Sequence, residues 1–429
     1  MFCYQCEQTA GGTACTNYGV CGKDPDIQSL QDTLLFGLKG IGAYAFHARE
    51  LGKKDEAVDA FMHEALFATL TNVDFDLGRF LELVLRAGQI NLKAMEILDA
   101  GNTERFGDPE PTEVSTGTRA GPGILVTGHD LIDLYELLRQ SQGTGVNVYT
   151  HGEMLPTHAY PKLKAFKHLV GNYGGPWQKQ KKEFAEFGGA ILGTTNCVQI
   201  PPDGYKDRIF TCGIAGLPGV PHLTGRDFKA VIARAKQLPP LKEAPGRKLL
   251  TGFHHKAVMK VAPKILELVK AGKIRRFFLV GGCDGAKPGR SYYSDFVRQI
   301  PKDCVVLTLA CGKYRFLDQE LGAIEGIPRL IDMGQCNNAY SAIQVALALA
   351  GAFHCGVNDL PLSLILSWYE QKAVAILLTL LSLGIRGMRV GPTAPAFLTP
   401  NVFKALQEKF DLKLITTPEE DLQAILGSK

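Results

Sequence analysis

Downstream of a cysteine-bearing N-terminus, apolar residues recur at steps of three and four: Ile27, Leu30, Leu34, Leu38, Ile41, Ala45 and Ala48. That spacing lines one face of a helix. Asp24-Pro25-Asp26 marks its start, with proline where no N–H is needed, and Leu51-Gly52 marks its end. A second run spans Asp55 to Leu70 (Val58, Phe61, Met62, Ala65, Leu66). A third goes from about Asp74 to Asp99 (Leu77, Phe80, Leu81, Val84, Leu85, Leu92, Met95, Leu98). Three such helices with short connections predict an antiparallel bundle.

From Gly101 to Gly123 the pattern gives way to Gly, Pro and Thr, which reads as a linker. Short apolar runs then alternate with helical segments: Ile124 to Val126, Val146 to Tyr149, Leu169-Val170 and Ala190 to Leu192. After a second linker at Pro239-Pro240 and Pro245-Gly246 come Phe277 to Val280, Cys304 to Leu309, Leu330-Ile331 and Leu412 to Ile415. This βαβ punctuation predicts two parallel-sheet domains behind one helical domain. The expected division is 1–116 for the cysteine motif and three-helix bundle, 117–238 for the first α/β domain and 239–429 for the second. No repeat of fixed period is present. The longest apolar stretch, Pro361 to Ile385, is interrupted by Glu370-Gln371-Lys372, so a membrane helix is not expected.

Composition narrows the function classes. With 429 residues, 45% hydrophobic and 21% charged, the chain is neither disordered, collagenous nor a coiled coil. A net charge of +4, spread along the chain, does not describe a nucleic-acid or membrane surface, and points to a small molecule or a protein as partner. The 11 cysteines are odd in number and cannot all pair within one chain. Met1-Phe2-Cys3 opens on polar sequence without a secretory signal, so the expected location is the reducing cytoplasm. Cysteines there serve as metal ligands, redox groups or buried hydrophobes.

Cys3, Cys6, Cys15 and Cys21 follow a C-x2-C-x8-C-x5-C spacing among Gly11, Gly12, Gly19 and Gly22. Four thiolates on a segment that glycine lets turn sharply can wrap one metal centre. A zinc ribbon shows two matched C-x2-C knuckles, which are missing, so an iron–sulfur cluster leads and structural zinc comes second. Four further cysteines, Cys197, Cys283, Cys311 and Cys336, each lie just past a predicted strand, as do His129 and Glu153. In open α/β sheets the ligand crevice forms at the carboxyl ends of strands. Any one of these residues alone reads as packing or capping; six together predict convergence.

Glu370 and Lys372 fall between Leu362 to Leu366 and Ala373 to Leu381, the most apolar surroundings in the chain, where an unpaired charge costs several kcal/mol. Either they pair with each other or lie in a loop between two core helices, or Glu370 ligates a cation and Lys372 supplies protons. Thiolates combined with imidazole and carboxylates suit redox iron better than structural zinc. Gly281-Gly282-Cys283-Asp284-Gly285-Ala286-Lys287 fails the phosphate-loop spacing and continues into Pro288, which excludes that motif. Cys212, Cys304 and Cys355 fit no constellation and are expected in the core.

With these residues in view the chain resembles the hybrid cluster proteins, also called prismane proteins or hydroxylamine reductases. The likeness runs through MFCYQCEQTA, VTGHD with His129, YTHGEMLP with Glu153, TTNC with Cys197, GGCDGAKPGR with Cys283, ACGKYRF with Cys311, GQCNNAY with Cys336 and SWYEQKA with Glu370 and Lys372. The resemblance implies a multidomain α and α/β fold, an N-terminal helical bundle followed by two Rossmann-like domains. It implies a [4Fe-4S] cluster on Cys3, Cys6, Cys15 and Cys21. It also implies a hybrid [4Fe-2O-2S] cluster on His129, Glu153, Cys197, Cys283, Cys311, Cys336 and Glu370, with Cys283 bearing a persulfide and Lys372 a nearby proton donor. The implied reaction is two-electron reduction of hydroxylamine to ammonia and water, with electrons from a separate reductase or ferredoxin. Nitric oxide as substrate, a nitrosative-stress sensor or S-nitrosylating protein acting through Cys283, and a nickel carbon monoxide dehydrogenase are the alternatives. About twenty residues separate the last predicted helix from Ile124, so the chain resembles the short class that lacks one helical bundle.

Overall fold

A computed structural model describes residues 1–427 of the chain. The chain divides into two compact units, residues 1–101 with those from 354 onward, and residues 102–353. The stretch 239–429 therefore contributes to both.

In the first unit, α1 (Pro25–Glu50) begins where the Asp24 carboxylate accepts the Ile27 N–H at 2.8 Å. α2 (Glu56–Ala68) is capped in the same way by Asp55. α3 (Leu77–Phe106) overruns its expected end at Asp99, and its residues from 102 onward, Phe106 among them, belong to the second unit. Phe106 explains the extra turns, because its ring is buried against Tyr135 and Tyr160, with centroids 5.7 and 6.4 Å away. Of the expected helical face of α1, Ile27, Leu30, Leu34, Leu38, Ile41 and Ala48 are buried and Ala45 is half-buried.

Much of what covers the bundle comes from far along the chain. α4 (Gln371–Ser382) packs on α1 and α3 where both carry glycine. A Cβ on Gly40 would stand 2.6 Å from that of Ala375, and one on Gly88 only 2.0 Å from the Leu378 carbonyl oxygen. Thr379 completes the joint, donating to the Gly88 carbonyl at 2.9 Å and accepting from Asn91 at 3.0 Å. We expect Gly88→Ala to destabilise the protein by about 1–3 kcal/mol through overpacking. A thermal melt checks this, and an unchanged midpoint would mean α3 and α4 can separate without loss. Leu362–Ser367, next to α4, is a strand and not the core helix the apolar run allowed. It pairs in parallel with Arg389–Gly391, which pairs with Lys413–Leu414.

The second unit is α/β. Its strands β1 (Gly123–Thr127), β2 (Asn147–His151) and β3 (Ala190–Gly193) belong to a six-stranded parallel sheet completed by Leu169–Asn172, Ile209–Cys212 and His222–Leu223. Across the sheet they run Leu169–Asn172, β2, β1, β3, Ile209–Cys212, His222–Leu223; counting the six strands in chain order this is 3-2-1-4-5-6, the doubly wound Rossmann arrangement. The order reverses beside β1, so a crevice opens at the carboxyl ends of β1 and β3. A second parallel set, β4 (Arg276–Gly282), β5 (Cys304–Thr308) and β6 (Leu330–Asp332), has β5 in the middle. Every residue of β1, β2, β3 and β5 is buried, as in parallel strands covered on both faces. The region expected as a linker holds one more strand, Thr112–Ser115, antiparallel to Lys248–Thr251. Only Val114 among its residues is buried, too weak a pattern to be visible without its partner. Among the described residues no helix is long and apolar enough to cross a membrane.

Candidate metal centres

None of the eleven cysteines forms a disulfide. At the N-terminus, Cys3 and Cys15 face each other across an antiparallel bridge, exchanging N–H···O bonds of 3.1 and 2.8 Å. Between Cys6 and Cys15 the chain turns through Gly11 and Gly12, both with positive φ (59° and 63°), conformations glycine adopts at no steric cost. Gly19 is required for a different reason, since a Cβ there would press to 3.0 Å from the Cys21 sulfur. The Ala10 N–H points at the Cys15 sulfur at 3.5 Å. That N–H, the one of Val20 and then the Lys23 charge hold the Cys15 thiol below its ordinary value. Lys23 is fully buried, and its ammonium donates to Gln31 at 2.6 Å and Gln28 at 3.0 Å, with the Cys3 sulfur at 4.0 Å. Sulfurs met by N–H groups and a buried cation are an environment for thiolates, which fits an anionic iron–sulfur centre.

The second set lies in the second unit, and its local design repeats. Each strand ends, the backbone takes a positive φ, and the donor residue follows. Gly128 (φ 125°) precedes His129 after β1, Gly152 (φ 59°) precedes Glu153 after β2, Gly282 (φ 115°) precedes Cys283 after β4, and Gly334 (φ 127°) lies two before Cys336 after β6. After β5 the position before Cys311 is Ala310, at φ 62°, and after β3 Cys197 itself has φ 68°. Non-glycine residues held there cost of order 1–3 kcal/mol each and mark sites where geometry outranks stability.

The donor atoms of His129, Glu153 and Cys336 lie within 4.8 Å of one another. Glu153 and Cys336 are buried, and Glu153 Oε2 accepts the Cys336 N–H at 2.8 Å. Thr195 lies 2.7 Å from His129 Nδ1, which orients the ring with Nε2 as its remaining donor atom. Burial first, and then the charges of Glu153, Cys197 and Cys283, push the Cys311 thiol well above its ordinary value. Glu153, Cys197 and Cys283 are thus each close enough to oppose the ionisation of Cys311. A set of thiols, carboxylate and imidazole of this kind, with Glu153, Cys311 and Cys336 buried and Cys197 and Cys283 half-buried, calls for a cation among them. The donor chemistry therefore fits a mixed sulfur–oxygen–nitrogen iron site.

Glu370 and Lys372 belong to the first unit. Glu370 caps α4 by accepting the Lys372 N–H at 3.2 Å, and its carboxylate stands 3.8 Å from the Lys372 ammonium. The pairing expected of charges in apolar surroundings is present. Of the three leftover cysteines, Cys212 and Cys304 are buried, whereas Cys355 is only half-buried and not a core residue.

Several residues that shape the second site hold its loops through hydrogen bonds and were passed over by sequence reasoning. Gln335 is buried and donates from Nε2 to the carbonyls of both Glu153 (2.8 Å) and His129 (3.2 Å), joining three donor loops. Lys313, fully buried, donates to Asp332 at 2.6 Å and the Gly334 carbonyl at 2.8 Å, tying the Cys311 turn to the Cys336 loop. Asp284 accepts from Arg315 at 2.9 Å and Gln178 at 2.7 Å and so anchors the loop of Cys283. Their signal was position: Gln335, Lys313, Arg315 and Asp284 all lie inside the cysteine-bearing motifs.

Comparison with known proteins gives a consistent picture. The family model described as Prismane/CO dehydrogenase matches residues 1–84 and 52–423. A hydroxylamine reductase of Moorella thermoacetica is 72% identical over 427 residues, covering all of both chains. One from Methanothermobacter thermautotrophicus is 55% identical, again over all of both chains. A longer one from Syntrophobacter fumaroxidans is 62% identical, covering 94% of this chain and 74% of its own. Among solved structures, a nickel-free carbon monoxide dehydrogenase from Thermococcus sp. AM4 superposes with a TM-score of 0.79 at 16% identity, covering 99% of this chain and 90% of that one. Carbon Monoxide Dehydrogenase IV from Carboxydothermus hydrogenoformans gives 0.80 at 15%, covering 99% and 91%. At that identity the likeness is one of fold.

Proposed function

We propose, because this chain belongs to the Prismane/CO dehydrogenase family, a two-centre assignment: a [4Fe-4S] cluster on Cys3, Cys6, Cys15 and Cys21, and a hybrid [4Fe-2O-2S] cluster on His129, Glu153, Cys197, Cys283, Cys311, Cys336 and Glu370. The chain is a hybrid cluster protein and carries iron–sulfur cofactors. It is an oxidoreductase whose substrate is hydroxylamine, which takes two electrons and two protons to give ammonia and water. The observation that supports the second-centre assignment is that three donor atoms, of His129, Glu153 and Cys336, lie inside 4.8 Å, with Glu153, Cys197 and Cys283 near enough for their charges to act on Cys311.

When bound, the hybrid cluster supplies electrons and an open Lewis-acidic position for the substrate nitrogen. The protein does the rest. Thr195 holds the His129 ring, and the Cys336 N–H orients the Glu153 carboxylate. Gln335 keeps the loops of His129, Glu153 and Cys336 at fixed separation. Burial of Glu153, Cys311 and Cys336 shields these three donors from water. Breaking the N–O bond requires a proton on the departing oxygen, a task suited to Lys372 Nζ, with the adjacent Glu370 carboxylate as its partner. Sequence motif, rather than geometry, carries Glu370 and Lys372 into this assignment. The electrons come from a separate reductase or ferredoxin, and the protein acts in the cytoplasm.

Anaerobic iron and sulfide quantification with EPR of reduced and oxidised protein tests the assignment. Two distinct cluster signals are expected, and a single four-iron centre overturns it. Glu370→Gln sharpens the test, since it should impair the hybrid centre and spare the first cluster. Normal turnover and an unchanged iron spectrum in that variant remove Glu370 from the site.

A further inference from the structure

A fully buried lysine is rare unless something compensates its charge. Among the described residues Lys23 makes no ion pair with a carboxylate: its ammonium meets the neutral amide oxygens of Gln28 and Gln31 and, at 4.0 Å, the sulfur of Cys3. The nearest acid along this network is Asp32, to which Gln28 donates at 2.8 Å. Burial outweighs the pull of Gln28 and of the Lys23 charge and holds the Asp32 carboxyl above its usual range, which makes it a weak counter-ion. Two glutamines one helical turn apart on α1 aim both carbonyl oxygens at Nζ, so the ammonium is fixed in place and cannot swing out to water. A protein that wanted only to fill this space has methionine or leucine available.

We propose that Lys23 is the built-in counter-charge of the N-terminal cluster and holds its reduction potential up. The inference rests on the assignment of an iron–sulfur cluster to Cys3, Cys6, Cys15 and Cys21. Reduction adds one electron from an external donor, which is oxidised, and makes the centre more negative by one charge. A fixed positive charge beside Cys3 stabilises that reduced state more than the oxidised one. Net charge and hydrogen bonding at the sulfurs are among the terms that set cluster potentials.

The test is an EPR-monitored redox titration of the full chain with both clusters assembled, alongside iron and sulfide analysis. In Lys23→Met the equilibrium constant for reducing the first cluster should fall at least tenfold, about 59 mV for one electron, while Lys23→Arg keeps most of the wild-type value. Gln28→Glu leaves the lysine in place but sets a carboxylate against it, and should move the potential in the same direction. It also decides the matter where Lys23→Met fails to hold the cluster. Full cluster occupancy with the wild-type potential in both Lys23→Met and Gln28→Glu overturns the proposal. So does loss of the cluster in both while the wild type retains it, which makes Lys23 a structural residue. Absence of any cluster on the first four cysteines of the wild type overturns the assignment beneath it as well.

Discussion

Glu153→Gln should lower hydroxylamine turnover by about a hundredfold or more, while the EPR signal of the N-terminal cluster stays as in the wild type. The substitution preserves side-chain volume, so a collapse of the fold is not the expected route. What changes is chemistry in a buried place. Glu153 is 5% exposed, its Oε2 accepts the Cys336 N–H, and its donor atom lies within 4.8 Å of those of His129 and Cys336. The amide of glutamine offers one weaker acceptor oxygen and an NH2 group that must point somewhere in the same space. It also removes one of the negative charges that a cation among the donors would balance. Iron content, EPR of both centres and kcat, measured on one preparation, separate the possible results. Wild-type turnover with full iron occupancy would take Glu153 out of the centre. Cys212→Ala is the matched control: its thiol is buried against Asp133 at 3.3 Å, outside the donor set, and both clusters should survive its loss.

What could be read from sequence follows from how local each signal is. Helix α1 announced itself through Asp24, Pro25 and a regular apolar face, all within one segment. The donors of the second set were visible for a similar reason: a run of β-forming residues, then one residue able to bind metal. Convergence of those strand ends could be anticipated from the general behaviour of parallel sheets, because the crevice lies at their carboxyl ends. Three kinds of information were out of reach. Leu362–Ser367 is a strand although Leu-Ser-Leu-Ile-Leu-Ser reads equally well as buried helix, and only pairing with Arg389–Gly391 settles its type. Gly40 and Gly88 look like weak points inside helices, and their use becomes plain only when α4, far along the chain, is laid against them. Lys23 and Gln335 carry no ligand chemistry, so nothing in their own identity marked them. Their importance is a matter of burial and of which atoms they reach.

Gln335→Ala should reduce iron occupancy and turnover at the second centre by about 10- to 100-fold, although Gln335 is not a ligand. The side chain is 3% exposed and spends both of its Nε2 donors on main-chain carbonyls, those of Glu153 and His129, while its own residue immediately precedes Cys336. One amide group thereby sets the spacing of three donor loops that belong to both parallel strand sets. Removing it takes a hydrogen-bond donor from the Glu153 and His129 carbonyls and lets the β1, β2 and β6 loops drift independently, and a misplacement of about 1 Å is enough to cost catalysis dearly. A merely structural role predicts a lower melting temperature with the EPR line shape of the second centre unchanged. A positioning role predicts that the line shape itself changes, and that Gln335→Glu, which keeps the size but cannot donate as a carboxylate, fails to rescue it. If Gln335→Ala shows the wild-type signal and occupancy, the loops are held apart by their backbones alone, and the positive-φ residues before each donor, rather than Gln335, set the geometry of the site.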